Sequence, residues 1–285
     1  MDILLMQYST KASHQTEEFR WQAAGMGYAI RSEKGRFIVV DGGHKEDAEG
    51  LITFLEQHAD GKPEIDQWII THPHGDHYGA LEEASNRADL RERVQVNRFV
   101  FCMPPESFVD SGRGTPYKEQ IQTVWASAAR FGAPVTHAKR GERYATDSLE
   151  TEVLLTYDDL DFASDPNETS MLFFVHAAEQ RILFLGDTYE APAEKLAAER
   201  EDLSCTFCQF AHHALNGASD ALYEKAVPRV GLIPMARPAY VAMTQGDYKD
   251  SDETGANRRA MAKLPAEKLW LSADGHYIVK LPYKG

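Results

Sequence analysis

The chain of 285 residues has few cysteines, a deficit of basic residues and no long hydrophobic run. Three cysteines are an odd number, so a framework of disulfides is not expected. The 30 basic residues are outnumbered by 44 acidic ones, and a net charge of −14 gives no bulk attraction for nucleic acid or anionic lipid. No apolar stretch approaches the roughly 18–20 residues of a membrane span. The composition therefore predicts a cytoplasmic protein with no membrane partner, acting on a small molecule.

Short apolar runs alternate with segments of helical period along the whole chain. This alternation predicts the α/β class, with helices packed outside sheets in a single domain over residues 1–285. The predicted strands are 3–8, 28–31, 37–40, 67–71, 99–102, 171–177, 181–185, 205–211, 230–235, 268–272 and 277–281. The predicted helices are 45–58, 80–90, 119–131, 191–199, 219–226 and 257–263. Segments 103–118 and 236–256 are predicted loops, and both are candidates for lining a pocket together with Arg113, Phe19 and Trp21.

Three of the 11 histidines fall within the segment Thr71-His72-Pro73-His74-Gly75-Asp76-His77, directly after a predicted strand. Imidazole and carboxylate are preferred ligands of zinc and similar divalent ions. His72 and His74 are two residues apart, so both can point the same way from a strand end. Asp76 and His77 follow where the loop turns into a helix. Two pairs of ligands side by side predict a site for two metal ions.

The segment His72–His77 matches completely the His-x-His-x-Asp-His signature of the metallo-β-lactamase-fold hydrolases, and the chain resembles that family. The resemblance implies an αββα sandwich with a metal site at the edges of its sheets. Asp41-Gly42-Gly43 resembles another element of the family. Asp187, after the apolar run Phe184-Leu185-Gly186, resembles the aspartate that bridges the two metals.

Further elements resemble one branch of the family, which contains hydrolase domains of competence DNA-uptake proteins and phosphorylcholine esterases. They are Ala211-His212-His213, Asn167 with Ser170 and Met171, and Ser272-Ala273-Asp274-Gly275-His276. The chain departs from that branch at Ala214, where the branch usually has glycine. The later Asn…His-Pro element of the branch is not visible between residues 240 and 262.

The last metal ligand is left open by the sequence. Adjacent residues at a strand end point opposite ways, so only one of His212 and His213 is expected to bind metal, and His213 is favoured. His276 is the alternative. His137 and His176 are not predicted as ligands. His176 should lie about four residues, roughly 13 Å, along a hairpin in which Asp187 is opposite about Leu172.

The resemblance and the motif together predict one metal on His72 and His74, a second on Asp76, His77 and His213, and Asp187 bridging both. A metal-bound hydroxide is the expected nucleophile, with Asp76 and His212 as catalytic residues. Asn167 and Ser170 are expected to lie near Asp187 and to orient it without binding metal themselves. Zinc is the expected metal, with manganese or iron as alternatives.

The substrate implied by the branch is a small phosphoester or phosphodiester. The alternatives are a lactone or thioester, an iron-dependent oxidoreductase on the same fold, and a binding protein without catalysis. Cys205 and Cys208 have the spacing of a redox pair. Because they fall in a predicted strand rather than at a helix start, they are predicted to be buried structural thiols on opposite faces.

Overall fold

The computed structural model of the protein describes residues 1–16, 24–110, 117–251 and 255–285. Phe19, Trp21 and Arg113, which the sequence suggests as pocket residues, lie outside the described residues. Within the part of the chain that is described, no helix combines the length and the apolar character needed to cross a membrane.

The first sheet is antiparallel on one side and parallel on the other, in the order β15-β1-β2-β3-β4-β6-β7, with β5 also pairing with β4. Its strands are β1 (Ile3–Gln7), β2 (Gly27–Arg31), β3 (Phe37–Asp41), β4 (Glu64–Ile69), β5 (Gln95–Val96), β6 (Phe99–Phe101), β7 (Val135–His137) and β15 (Tyr277–Leu281). Strands β3, β4, β6 and β7 run parallel to one another.

The second sheet repeats this arrangement in the order β14-β13-β12-β11-β10-β9-β8. Its strands are β8 (Arg143–Thr146), β9 (Leu149–Leu155), β10 (Leu172–Ala177), β11 (Gln180–Phe184), β12 (Phe207–Gln209), β13 (Val230–Ile233) and β14 (Leu269–Leu271). Strands β11 to β14 are parallel, whereas β8 to β11 form an antiparallel meander.

The helices of the described residues are α1 (Ala48–Glu56), α2 (Gly75–Asn86), α3 (Ala88–Arg91), α4 (Glu106–Asp110), α5 (Lys118–Phe131), α6 (Glu190–Glu199), α7 (Asp220–Ala226), α8 (Arg237–Thr244) and α9 (Gly255–Ala262). Two of them correct the sequence prediction. Helix α4 lies within the segment 103–118, and α8 lies within 236–256, both of which were predicted to be loops.

Three apolar clusters show how the layers pack. One lies between the sheets and joins residues such as Tyr28 and Val40 to Phe173 and Phe184. A second covers the outer face of the first sheet with α1, α2 and α5, and a third covers the outer face of the second sheet with α6, α7, α8 and α9. Four layers in the order helix, sheet, sheet, helix confirm the predicted α/β class and αββα sandwich.

The strands that the sequence did not reveal are β5, β7, β8 and β9. Strand β9 reads Leu-Glu-Thr-Glu-Val-Leu-Leu, and its polar residues obscure a strand whose side chains are mostly buried. Buried Glu152 of this strand is satisfied by Arg200 and His176, at 2.7 Å each. Since those partners come from other elements, a local reading of the sequence has no access to them.

The parallel strands of both sheets end at the same edge of the sandwich. Asp41 ends β3, and the histidine-rich segment follows β4. Asp187 follows β11 and His212 follows β12 in the second sheet. The carboxyl ends of four strands therefore bring together the residues that the sequence singled out, as is usual for sites in α/β proteins.

Candidate metal centre

The segment between β4 and α2 presents four of the side chains. Pro73 disfavours helical backbone at His72, and His74 is still extended (φ −102°, ψ 145°), so α2 begins only at Gly75. Asp76 then lies in the first turn of the helix, where the positive end of the helix dipole favours a carboxylate. His72 and His77 are fully buried, and His74 and Asp76 are partly exposed.

Asp187 is held behind the end of β11 by a turn that requires glycine. Gly186 has φ +53°, and a Cβ there would lie 2.8 Å from Ser170 Oγ. Ser170 Oγ instead accepts a hydrogen bond from the backbone N–H of Asp187 (3.0 Å). Phe173 pairs with Phe184 in the hairpin, so the register continues to Ser170 opposite Asp187, rather than to Leu172 as predicted.

His212 and His213 lie in a 3₁₀ turn and not at the end of a strand, which corrects the basis of the sequence prediction. Strand β12 already ends at Gln209. His212, His213 and Ala214 all have positive φ, at 49°, 53° and 60°. This backbone lets both imidazoles face Asp187: His213 Nε2 lies 3.4 Å and His212 Nε2 lies 4.0 Å from Asp187 Oδ2. The expectation that they point opposite ways is therefore wrong.

The donor atoms form two groups that share Asp187. Asp76, His77, Asp187 and His213 form one group, and His72, His74 and Asp187 form the other, each with its donor atoms within 4.8 Å of one another. In the first group, His77 Nε2 lies 3.1 Å from Asp187 Oδ2, and His213 Nε2 lies 3.0 Å from Asp76 Oδ2. In the second, His72 Nε2 lies 3.8 Å from Asp187 Oδ2 and 3.1 Å from His74 Nδ1.

The outer ring nitrogens of three histidines are held by acceptors. His77 Nδ1 donates to Asp41 Oδ2 (2.8 Å), and His213 Nδ1 donates to the carbonyl of Pro234 (2.9 Å). His212 Nδ1 donates to the carbonyl of Asn216 (2.6 Å). A neutral imidazole that keeps its proton on Nδ1 turns a lone pair on Nε2 inward, which is the tautomer that a metal needs.

The two groups differ in electrostatics. Burial lowers the pKa of His74, and burial together with His77 lowers the pKa of His72 well below its usual value, so both rings are neutral at pH 7. In the group that contains Asp76 and His213, burial also opposes charge. There the attraction between carboxylates and imidazolium rings outweighs the cost of burial. The pKa values of Asp76 and Asp187 stay well below the usual range beside His77 and His213, and the two carboxylates raise the pKa of His213 to about 10.

These residues fit a divalent metal. Asp187 Oδ1 and His213 Nε2 are buried and have no hydrogen-bond partner, although a buried polar atom normally has one. The short contact between His213 Nε2 and Asp76 does not meet hydrogen-bond geometry. Imidazole nitrogens and carboxylate oxygens are the donors of zinc, manganese and iron sites. A cation among them would replace the imidazolium protons that now balance the two carboxylates.

Of the other residues considered from the sequence, some lie near Asp187 and the rest lie away from it. Asn167 and Ser170 lie beside Asp187 and Tyr189, and Asn167 Nδ2 donates to Tyr189 Oη (2.8 Å). His276 lies elsewhere, where its Nδ1 accepts from the backbone of Ser9 and its ring stacks on Tyr8. His176 pairs with Glu152. His137 belongs to a separate group of side chains.

Asp41 and Thr71 were not predicted as site residues. Asp41 has φ +55° and accepts from His77 Nδ1, the Thr71 hydroxyl (2.9 Å) and the Thr71 backbone (2.8 Å). The only sequence signal was an aspartate before two glycines at a strand end. Its contact with His77 is a tertiary one, which spacing along the chain does not reveal.

A polar cavity of about 340 Å³ adjoins the cluster. Two of its lining residues contact His212: the Tyr189 ring lies 5.4 Å from the His212 ring, and Asn216 accepts from it. The lining residues are Tyr189, Glu190, Asn216, Gly217, Ala218, Asp220, Ala256 and Arg259.

A known protein family matches most of the chain. A family model described as "Metallo-beta-lactamase superfamily" matches residues 24–272. No curated protein sequence is significantly similar to the chain.

Solved structures resemble the fold at low sequence identity. The metallo-beta-lactamase fold protein YhfI from Bacillus subtilis is 9% identical with a TM-score of 0.53, covering 98% of this chain and 100% of its own. Zinc-bound PqqB from Methylobacterium extorquens is 13% identical with a TM-score of 0.54, again over 98% and 100%. CmlA, a diiron β-hydroxylase from Streptomyces venezuelae, is 14% identical with a TM-score of 0.54. The match covers 98% of this chain but only 54% of CmlA, so the chain spans about half of that protein's length.

Proposed function

The chain belongs to the metallo-beta-lactamase superfamily, and we propose that it is a binuclear metal-dependent hydrolase of a small phosphoester or phosphodiester. The observation that carries the proposal is the position of Asp187. Its carboxylate belongs to both groups of donor atoms, one with His72 and His74 and the other with Asp76, His77 and His213. A shared carboxylate between two sets of imidazoles is suited to two neighbouring cations.

In this proposal, His72 and His74 hold one cation, and Asp76, His77 and His213 hold the other, with Asp187 contributing to both. The first set offers three donor side chains, which leaves coordination positions for substrate and water, as catalytic sites require. Zinc is the proposed metal, because its usual ligands are imidazole and carboxylate. Manganese and iron accept the same donors.

Divalent cations in these positions would polarise a substrate oxygen and supply a nucleophile from water at neutral pH. The chain's own residues then divide the remaining work. Asp76 presents its carboxylate beside His213 and is the proposed acceptor of the nucleophile's proton. His212 in its imidazolium form is the proposed donor to the leaving group, because its Nδ1–H is held by the carbonyl of Asn216, its Nε2 faces the cluster, and it is 18% exposed beside the cavity.

The cavity supports a small substrate. Its volume of about 340 Å³ suits a compact molecule, and Arg259 on its wall provides a guanidinium for an anionic group. Arg259 also pairs with Asp220 on the same wall. The net charge of −14 argues against a long nucleic acid.

The choice of a phosphoester rests on the resemblance to the competence and phosphorylcholine esterase branch. His212-His213 and the Asn167…Ser170 element both lie at the cluster. The departure at Ala214 falls on a residue with φ +60°, a conformation that glycine adopts without strain. The departure therefore leaves a backbone conformation into which glycine would fit.

A second candidate is an iron-dependent oxidoreductase. The donor groups around Asp187 contain nitrogen and oxygen atoms and no sulfur, which suits iron as well as zinc. CmlA, which shares the fold, is described as a diiron β-hydroxylase. Iron in the purified protein together with oxygen consumption would favour this candidate over the hydrolase.

The first experiment is elemental analysis of full-length protein purified without chelators or metal-affinity resin. Two or more zinc or manganese ions per chain support the hydrolase. The loaded protein is then assayed on phosphodiesters, phosphomonoesters, lactones and thioesters. Asp76→Asn should abolish turnover and leave the fold intact, and Glu83→Gln, a matched change in the same helix, should leave turnover unchanged. Full turnover by Asp76→Asn, or hydrolysis of lactones and thioesters alone, would contradict the proposal.

A further inference from the structure

A second group of metal-binding side chains lies at the ends of β6 and β7. Cys102 directly follows β6, His137 ends β7, and Asp158 lies in a 3₁₀ turn after β9. Cys102 Sγ lies 3.5 Å from His137 Nε2 and 3.8 Å from Asp158 Oδ2, and His137 Nε2 lies 3.1 Å from Asp158 Oδ2. These residues are separate from the groups that share Asp187.

The three separations are close to those of ligands around a tetrahedral zinc ion. Zinc binds sulfur at about 2.3 Å and nitrogen or oxygen at about 2.0–2.2 Å, so neighbouring ligand atoms lie about 3.3–3.6 Å apart. The observed values of 3.1, 3.5 and 3.8 Å surround that range. Small side-chain movements would therefore place all three donors at bonding distance from one ion.

A nucleophilic Cys-His-Asp triad is the competing interpretation, and the geometry disfavours it. In a triad, one ring nitrogen faces the nucleophile and the other faces the acid. Here the same atom, His137 Nε2, contacts both Cys102 Sγ and Asp158 Oδ2. Cys102 is also fully buried, out of reach of a substrate, and burial beside Asp158 raises its pKa to about 12. An activated thiol needs the opposite shift.

We propose that Cys102, His137 and Asp158 form a second, mononuclear site for zinc, distinct from the metal centre at Asp187. The combination of thiolate, imidazole and carboxylate selects zinc over magnesium, calcium and manganese. Binding transfers the thiol proton to solvent as the sulfur–metal bond forms. The side chains of His137 and Asp158 are 35% and 42% exposed, so the ion has an entry path and room for water as a fourth ligand.

The site would also join the two sheets. Cys102 and His137 belong to the first sheet, whereas Asp158 follows β9 of the second. A bound ion would tie the carboxyl ends of β6 and β7 to the meander of the other sheet. Because β6 neighbours β4, this tie would brace the edge from which His72 and His74 project.

Cobalt(II) tests the site directly, because a cobalt–thiolate bond gives an intense near-ultraviolet charge-transfer band that imidazole and carboxylate ligands do not give. Metal-free protein is titrated with cobalt(II), and we expect the band to level off at the amplitude of one cobalt–thiolate bond per chain and to disappear when zinc is added. Cobalt bound around Asp187 has no thiolate ligand, so it does not contribute to this band. Failure of the hydrolase proposal therefore leaves the readout unchanged.

Three variants separate the site from other thiols and from loss of fold. Cys102→Ser should lose the band, and Cys205→Ser, a matched change at another buried thiol, should keep it. Asp158→Asn alters a half-exposed ligand, so it should fold normally yet bind cobalt more than about tenfold more weakly, since even outer partners of a ligand contribute that much. No band in the wild type, a band that persists in Cys102→Ser, or unchanged affinity in Asp158→Asn would each overturn the proposal.

Discussion

The two halves of the metal centre are built in different ways. The first half comes from one short segment, His72 to His77, whose backbone passes from extended to helical without strain. The second half comes from two separate links, after β11 and after β12, in which Gly186, His212, His213 and Ala214 all have positive φ. Strained backbone of this kind persists only where the surrounding structure holds it. The first half is thus specified locally and the second by tertiary packing.

The largest expected effect is at Asp187, which lies in the second half and belongs to both groups of donor atoms. Asp187→Asn removes a charge from both donor groups, so we expect the purified protein to lose one or both of the ions of this centre. Elemental analysis measures this directly. Asp202→Asn, at an exposed carboxylate of the second sheet's connections, is the matched control and should keep the full content. An unchanged ion count in Asp187→Asn would show that the two donor groups bind metal without a shared ligand.

The next effect concerns Asp41, which orients His77 in the first half of the metal centre. Asp41 Oδ2 accepts from His77 Nδ1 and Oδ1 accepts from the backbone of Thr71. Asparagine can occupy the left-handed backbone, so Asp41→Asn should fold, but its single carbonyl oxygen cannot serve both donors and the carboxylate acceptor of His77 is lost. Loss of such an outer partner weakens metal binding by about 10–100-fold. Competition with a metallochromic chelator gives the affinity. Asp66→Asn, on β4 of the same sheet, should bind as tightly as the wild type, and equal affinities for all three proteins would exclude a supporting role for Asp41.

The difference between the halves also explains what the sequence could predict. The spacing of His72, His74, Asp76 and His77 is local, and the structure brings these four side chains together. The alternation of apolar runs predicted the α/β class, and the family resemblance implied the αββα sandwich. The expected ligands of both halves meet at one edge of the sandwich, although their binding of metal stays a prediction until the metal is measured.

The errors concern irregular backbone and contacts that join distant parts of the chain. His212 and His213 were expected at the end of a strand and on opposite sides, but the left-handed turn aims both at Asp187. Cys205 and Cys208 are buried as predicted, yet they pack in the same apolar cluster rather than on opposite faces. Asp41 was visible only as part of a resemblance. Helix and strand propensities and the period of hydrophobic residues do not encode strained turns or long-range contacts. The free-energy cost of the strained turns is offset by packing elsewhere in the protein.

A smaller effect measures the strain of the second half. Ala214 has φ +60° and lies within the turn that carries the two histidines, so Ala214→Gly should stabilise the metal-free protein by about 1 kcal/mol. Ala211, just before this turn, has φ −56°, and Ala211→Gly should instead destabilise by about 1 kcal/mol. Equilibrium denaturation in urea gives both free energies. Equal changes in the two variants would mean that the left-handed turn stores no strain.

The smallest effect lies at the opposite end of the same strands, where the sheets meet through charge and not through the metal centre. Arg36, just before β3, donates from Nε to Asp147 Oδ2 (3.1 Å) in the turn between β8 and β9, and Ser32 Oγ donates to the same oxygen (2.6 Å). These hydrogen bonds, with that of Arg36 foremost, lower the pKa of Asp147 from 3.8 to about 2. A carboxyl with a depressed pKa stabilises the fold above its unfolded pKa and ceases to do so as it is protonated.

Asp147 has φ +53°, which asparagine tolerates, so Asp147→Asn should cost about 0.2–1 kcal/mol at pH 7. The difference between variant and wild type, measured by denaturation of metal-free protein, should shrink below about pH 4 and vanish as the pH falls through about 2. A difference that persists at pH 2 would assign the effect to backbone conformation. Because the two ends share no partners, the free-energy changes of Asp147→Asn and Ala214→Gly should add within about 0.5 kcal/mol, and a larger departure would show that the two ends of the sandwich are coupled.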